Sequence, residues 1–250
     1  MQSNIRVVNQ DATLLFKEIP DNSIDLIVTD PPYPVIGGGS NVNDDVGRPR
    51  GILKKNDGKI FKHNDLHISS WINQCYRVLK DKTHLYIMIN FLNIEEYMRE
   101  IRNVGFDIHS ILMWQKNNVT PSRWYMKNGE YVIFARKGAA NAIKNAGSKM
   151  IHGFPNPTKK IHPTEKPVKL IQMYIENSTN EGDVVLDPFI GGGSCPVACV
   201  RSNRNFIGSE LDKDFFNITI KRVKQEQLHK KETDERKNYA DNLFKLMTNG

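Results

Sequence analysis

The chain lacks a long apolar run. No stretch of its 250 residues approaches the roughly 18–20 apolar residues that a membrane span needs. Met1 to Gln10 lack the apolar core of a signal peptide, so no export is expected. Cysteine is scarce. The three present (Cys75, Cys195, Cys199) are too few and too scattered for a disulfide framework, and Cys195-x-x-x-Cys199 has no second pair with which to hold zinc. These absences fit a reducing cytoplasm, no membrane and no metal. Acid is nearly missing from residues 108–164, where Glu130 stands alone among many lysines and arginines. No internal repeat is visible. Neither G-x-G-x-x-G nor a P-loop is present, so a dinucleotide pyrophosphate and a nucleoside triphosphate are both poor guests.

What is present has the make-up of a globular α/β chain. The formal charge of +7 is compatible with a polyanionic partner, although an excess of this size is also common in proteins that bind none. Apolar strand-like runs recur at 5–8, 24–28, 84–89, 108–115, 131–135, 184–186 and 205–208. Helical spacing fills several gaps, as in Ile68, Ile72, Cys75, Tyr76 and Leu79, or Ile94, Tyr97, Met98 and Ile101 with Gly105 as a stop. Alternation of this kind predicts a mostly parallel sheet with helices on both faces. Two segments break it. One is the Gly-rich, charged stretch 36–66. The other is the basic segment 108–164, with its interleaved aromatics. After Lys221 the pattern predicts a solvated, charged helix.

The most informative residues are Asp30-Pro31-Pro32-Tyr33, directly after the second strand-like run. Paired prolines fix φ, remove two donors and hold Asp30 out of the helical region. The stiff bend presents a carboxylate, a proline carbonyl and an aromatic face, a set suited to a planar amino-heterocycle. Ligands of open α/β sheets bind at such strand ends. A second site follows at Asp187-Pro188-Phe189-Ile190-Gly191-Gly192-Gly193-Ser194, where a short strand runs into a glycine loop and then a helix. Glycines allow close backbone approach, and the helix N-terminus suits a carboxylate. Asp187 can pair with a cationic amine. Further on, Glu210 follows another strand, placed to take ribose hydroxyls. An amino acid joined to a nucleoside satisfies this set, and S-adenosylmethionine is such a molecule.

Together the D-P-P-Y motif (30–33), D-P-F-x-G-x-G-S (187–194) and His162-Pro163-Thr164-Glu165-Lys166-Pro167 resemble the amino-methyltransferases that act on DNA bases. With D-P-P-Y ahead of the glycine loop, the order resembles the permuted beta group of adenine-N6 and cytosine-N4 enzymes. Residues 29–136 also look like small adenine methylases of phages and prophages. The resemblance implies a Rossmann-like S-adenosylmethionine-dependent methyltransferase fold with a seven-stranded sheet. It assigns the flipped base to Asp30, Pro31, Pro32 and Tyr33. The methionyl part of the cofactor falls to Asp187, Phe189, Gly191, Gly193 and Ser194, with Thr164 and Lys166 near its carboxylate. Glu210 takes the ribose and Asp11 the adenine side. The product would be S-adenosylhomocysteine. Asp in place of Ser at position 30 favours adenine over cytosine.

The expected organisation is one methyltransferase domain over 1–220, with a charged helical extension over 221–250. Within the domain lie a catalytic half (1–138, with the variable loop 36–66), a short target-recognition segment (139–160) and a cofactor half (161–220). Candidate DNA contacts are Arg48, Lys54, Lys55, Arg123, Trp124 and Lys159. The three tryptophans, Trp71, Trp114 and Trp124, are read first as core or partly buried. Both variable segments are short for a recognition domain, which leaves either a short target or a second copy of the chain to complete recognition. Other readings stand beside this one, the nearest a cytosine-N4 methyltransferase, with an RNA or protein amide methyltransferase further off. Asp11 can be a turn residue, Thr164 to Lys166 can cap the helix at Val168, and the chain can be a DNA-binding module with a degenerate methylase fold.

Overall fold

The structure, a computed structural model, describes residues 3–32, 66–120, 124–158 and 165–248. Its strands are β1 (Ile5–Val8), β2 (Ile24–Thr29), β3 (Leu79–Ile89), β4 (Asp107–Thr120), β5 (Lys127–Arg136), β6 (Ile151–Gly153), β7 (Val184–Asp187) and β8 (Asn205–Ser209). The helices are α1 (Ala12–Glu18), α2 (Ile72–Val78), α3 (Ile94–Asn103), α4 (Val168–Ser178), α5 (Ser194–Arg201) and α6 (Lys213–Thr248).

All the described strands join one sheet in the order β1-β8-β7-β2-β3-β5-β4-β6. Pairing is parallel except where β5 runs antiparallel to both β3 and β4. Among the described residues the sheet therefore has eight strands, one more than the seven expected. The extra one, β6, has three residues and buries only His152, so no apolar run announced it. It pairs parallel to β4, placing part of segment 139–160 in the sheet.

Side chains alternate across the sheet and build a core on each face. Ile27, Leu85, Ile87 and Leu186 pack on one side with Phe16 of α1, Cys75 of α2 and Ile101 of α3. Leu26, Val28, Tyr86 and Met88 pack on the other with Leu170 and Tyr174 of α4 and Ala198 of α5. Trp71 and Trp114 are buried, as expected of core aromatics.

Helix boundaries depart from the apolar spacing in two places. The spacing from Ile68 to Leu79 is split: a short 3-10 turn (Ile68–Ser70) precedes α2, and Leu79 already belongs to β3. The charged tail is no separate piece. α6 begins at Lys213, with Asp212 Oδ1 accepting from the backbone of Asp214 and Phe215, and runs unbroken past Lys221.

Candidate active site

Four acids stand in a row where neighbouring parallel strands end. β1, β8, β7 and β2 lie side by side, and their C-terminal ends carry Asp11, Glu210, Asp187 and Asp30 in that order. With strands about 4.8 Å apart, residues distant in sequence become next neighbours. Asp187, the last residue of β7, is buried. Its Oδ1 accepts from Thr29 Oγ1 at 2.7 Å and from the Phe189 backbone at 3.1 Å. Burial pushes its carboxyl up to about 7, against those two donors, and nearby Asp30 and Glu210 add to the rise. A buried acid in this condition gains most from a cationic partner.

Glu210 holds the glycine loop. Its Oε2 accepts from Gly191 N at 2.8 Å, and its Oε1 accepts from Asp212 N at 2.8 Å. Burial still raises its carboxyl overall. Gly193 begins α5 in the left-handed region, at φ +85°, and a Cβ there would lie 2.9 Å from Thr219 Oγ1. Only glycine allows that turn without strain. The loop is braced from outside by α6: Thr219 Oγ1 donates to Gly191 O at 3.1 Å and Arg222 Nη1 to Gly192 O at 2.6 Å. Arg222 also pairs with buried Glu165 at 2.6 Å, and Ser194 Oγ donates to Lys166 O at 2.7 Å.

Asp30 follows β2 directly, ahead of buried Pro31 and half-buried Pro32. Lys166 Nζ, only 6% exposed in its side chain, lies 2.6 Å from Asp30 Oδ2 and 3.2 Å from Glu130 Oε2. Asp30 Oδ1 is shut off from solvent and has no hydrogen-bond partner among the described residues. Burial raises the Asp30 carboxyl above the usual range, with Lys166 pulling the other way. A cavity of about 70 Å³ lies between Asp30, Lys166, Asp187, Phe189, Gly191 and Ser194. It joins the two motifs that the sequence keeps 158 residues apart, as measured from Thr29 to Asp187.

The structure thus brings together Asp30, Pro31, Lys166, Asp187, Phe189, Gly191, Gly193, Ser194 and Glu210. Asp11 closes the row as the N-cap of α1, its Oδ1 accepting from Thr13 N at 2.7 Å. That capping bond matches the turn-residue alternative and uses one of its oxygens. Tyr33, Arg48, Lys54, Lys55, Arg123, Lys159 and Thr164 lie outside the described residues, as does most of segment 36–66. Glu165 does not lie in the first turn of α4: the helix starts at Val168 with Pro167 in the cap position and no side-chain bond from it, and Glu165 pairs with Arg222.

Trp124 departs from the core expectation. It is 83% exposed, beside Tyr125 at 96%, where β4 and β5 turn into one another. Several site residues had no motif to flag them: Thr29, Glu130, Thr219 and Arg222; Glu165 stood within the 162–167 motif but without a role. Glu130 alone carried a signal, as the single acid in a basic segment. The three cysteines are buried and unpaired, and burial pushes the thiols of Cys75 and Cys195 upward, so neither is a nucleophile. No cluster of metal-ligating side chains occurs among the described residues, and no described helix is long and apolar enough to cross a membrane.

A parallel sheet whose strand ends gather a D-P-P site and an acid-glycine-acid site defines the fold class of S-adenosylmethionine-dependent DNA methyltransferases. The family model for DNA methylases of the N6/N4 type matches residues 24–221, and the chain belongs to that family. It is 30% identical over 242 residues to the type II methyltransferase M2.DpnII of Streptococcus pneumoniae, covering 88% of this chain and 90% of that one. The crystal structure of the M1.HpyAVI-SAM complex superposes with a TM-score of 0.64 at 25% identity, covering 87% of this chain and 99% of the other. PvuII DNA methyltransferase (cytosine-N4-specific) shares the fold, with a TM-score of 0.69 at 18% identity over 89% of this chain and 87% of that one.

Proposed function

We propose that the chain transfers the methyl group of S-adenosylmethionine to the N6 amine of an adenine flipped out of DNA. One observation carries this reading: Asp30 Oδ1 is buried and without a partner among the described residues, beside the cavity it shares with Asp187. A buried acceptor left open is costly, and an incoming amine N–H would satisfy it.

The residues present suit the cofactor. Asp187 offers to its ammonium a buried carboxylate whose burial two donors only partly offset, Gly191 and Gly193 allow close backbone approach, and Glu210 ends the next strand toward the ribose. We assign its adenine to the side of Asp11 and its carboxylate to the neighbourhood of Thr164. When bound, S-adenosylmethionine supplies an electrophilic methyl group on a sulfonium, and S-adenosylhomocysteine leaves.

The chain's own part is to make the amine a nucleophile. The lone pair of an adenine N6 is delocalised into the ring. Acceptance of its N–H bonds by Asp30 and the Pro31 carbonyl favours a pyramidal nitrogen and localises that pair. The amine becomes cationic as its bond to carbon forms, and the Asp30 carboxylate stabilises that charge before the extra proton leaves. Extrusion of the base costs a few kcal/mol; stacking on Tyr33 would return about 1–3 kcal/mol.

Exposed Trp124 and Tyr125 at the β4–β5 turn, with the surrounding lysines, are the proposed DNA contacts outside the pocket, together with Arg48, Lys54, Lys55, Arg123 and Lys159. Residues 1–220 act as the methyltransferase domain. A DNA substrate implies a cytoplasmic enzyme, in keeping with three free thiols. Incorporation of labelled methyl into unmethylated DNA, followed by nucleoside analysis, tests the reading. N6-methyladenine from the wild type and none from Asp30→Ala is the expected result. Absence of transfer by the wild type, full activity in Asp30→Ala, or N4-methylcytosine as the product would overturn it.

A further inference from the structure

Lys166 serves two carboxylates at once. Its ammonium lies 2.6 Å from Asp30 Oδ2 and 3.2 Å from Glu130 Oε2. The other oxygen of Glu130 pairs with Lys116, whose ammonium also sits 4.9 Å over the Trp114 ring. Charges therefore alternate in one chain, Lys116, Glu130, Lys166, Asp30, from the β4–β5 hairpin to the end of β2. Glu130 is the only acid in residues 108–164, so a segment otherwise free of negative charge spends its single carboxylate here.

The arrangement solves two problems for a buried catalytic acid. Asp30 must stay ionised, and it must turn one oxygen toward the cavity. Lys166 on Oδ2 does both, and leaves Oδ1 open. An ammonium beside the reacting nitrogen, however, opposes the positive charge that develops there. A second carboxylate on the far side of that ammonium offsets it.

We propose that Glu130 is a positioning residue for methyl transfer: acting through Lys166, it sets the direction of the Asp30 carboxylate and balances the charge beside the reacting amine. The inference rests on the reading under Proposed function for its link to turnover, but not for the electrostatics. Among the described residues, the charged and titratable groups facing Asp30 are Lys166, Glu130, Lys116, Asp187 and Tyr97, the last from α3. Lys166 favours the ionised form of Asp30 and Glu130 disfavours it.

The two neighbours therefore have opposite signatures. In Glu130→Gln the acid limb of the pH–rate profile should move to lower pH, while the plateau falls at least about tenfold through the unbalanced ammonium. In Lys166→Met the acid limb should move to higher pH, and Lys166→Arg should restore much of the wild-type profile. Cofactor affinity in Glu130→Gln should stay within roughly threefold of wild type, well under the tenfold that 1.4 kcal/mol represents. Carboxyl 13C NMR of the full chain, with Asp30 assigned by its loss in Asp30→Asn, reads the same shifts without turnover. Glu130→Gln keeps both lysines and is the variant to rely on if Lys166→Met fails to fold. Shifts of the same sign in both variants, or an unmoved Asp30 titration in Glu130→Gln, overturn the proposal. An unchanged plateau in Glu130→Gln overturns it as well. Opposite NMR shifts in a chain that transfers no methyl would leave the electrostatics standing and sink the enzymatic reading instead.

Discussion

Thr29 Oγ1 donates to Asp187 Oδ1 at 2.7 Å, tying the last residue of β2 to the last residue of β7. The bond crosses the seam between the half of the chain that carries D-P-P and the half that carries the glycine loop. It is one of two donors that partly offset the burial of Asp187. Thr29→Val keeps the shape and removes the donor. Cofactor binding should weaken by about 1–2 kcal/mol, roughly five- to thirtyfold. Calorimetric titration with S-adenosylmethionine reads the effect directly, and an unchanged affinity would mean that the hydroxyl does not serve the acid.

Asp187 should make the cofactor-free protein pH-sensitive. Its folded-state carboxyl is raised to about 7, above any value it would have unfolded. Protons therefore bind the folded chain more tightly, and the stabilisation is present at low pH and lost as pH rises through about 7. Asp187→Asn should melt at a higher temperature than wild type at pH 8, with the difference closing toward pH 5. Binding of a cationic amine needs the carboxylate, so wild-type cofactor affinity should fall about tenfold per pH unit below that point. Thermal melts and binding titrations across pH 5–9 check both.

At Gly193 backbone conformation and space act together. An added Cβ would meet Thr219 in a residue already at φ +85°. Gly193→Ala should cost about 1–2 kcal/mol in left-handed strain alone and should weaken cofactor binding more than it lowers the melting temperature. Equal effects on both would place the damage in the fold at large rather than in the loop.

Trp124 and Tyr125 are too exposed to matter for folding. Their replacement by alanine should leave the melting temperature within about 1 °C, since surface changes stay within roughly 0.5 kcal/mol. It should weaken DNA binding by about 1–3 kcal/mol per base-stacking partner lost. Lys144→Ala and Lys149→Ala should each lower the salt slope of DNA binding by about 0.9 if they touch phosphate. An unchanged slope would move the DNA surface elsewhere.

Three of the four acids were legible because each ends an apolar run: Asp30, Asp187 and Glu210 all stand at a change from strand to loop, whereas Asp11 follows β1 only after Asn9 and Gln10. Lys166 shows where reading stops. Its motif placed it near the cofactor, but its partners are Asp30, 136 residues upstream, and Glu130 on a hairpin. No local pattern records such a distance. Trp124 failed differently. Hydrophobicity argued for burial, whereas its place at the β4–β5 turn leaves it 83% exposed. Strand β6 was missed for lack of length; the helix after Lys221 was expected, but its start at Lys213 and its bracing of the glycine loop were not, because Thr219 and Arg222 carry no apolar signature.

The strand order has a consequence for how the chain comes into being. β2 lies at the centre of the finished sheet, yet one of its neighbours, β7, comes from far downstream, and β1 pairs only with β8. On the ribosome, at about 5–20 residues per second, the edge of β2 waits on the order of ten seconds for residues 158 positions later. Until then an apolar strand edge is bare, and such edges template aggregation. The nascent N-terminal half is therefore the stage at which chaperone binding and proteolysis should fall, with resistance arriving only once β7 and β8 emerge together.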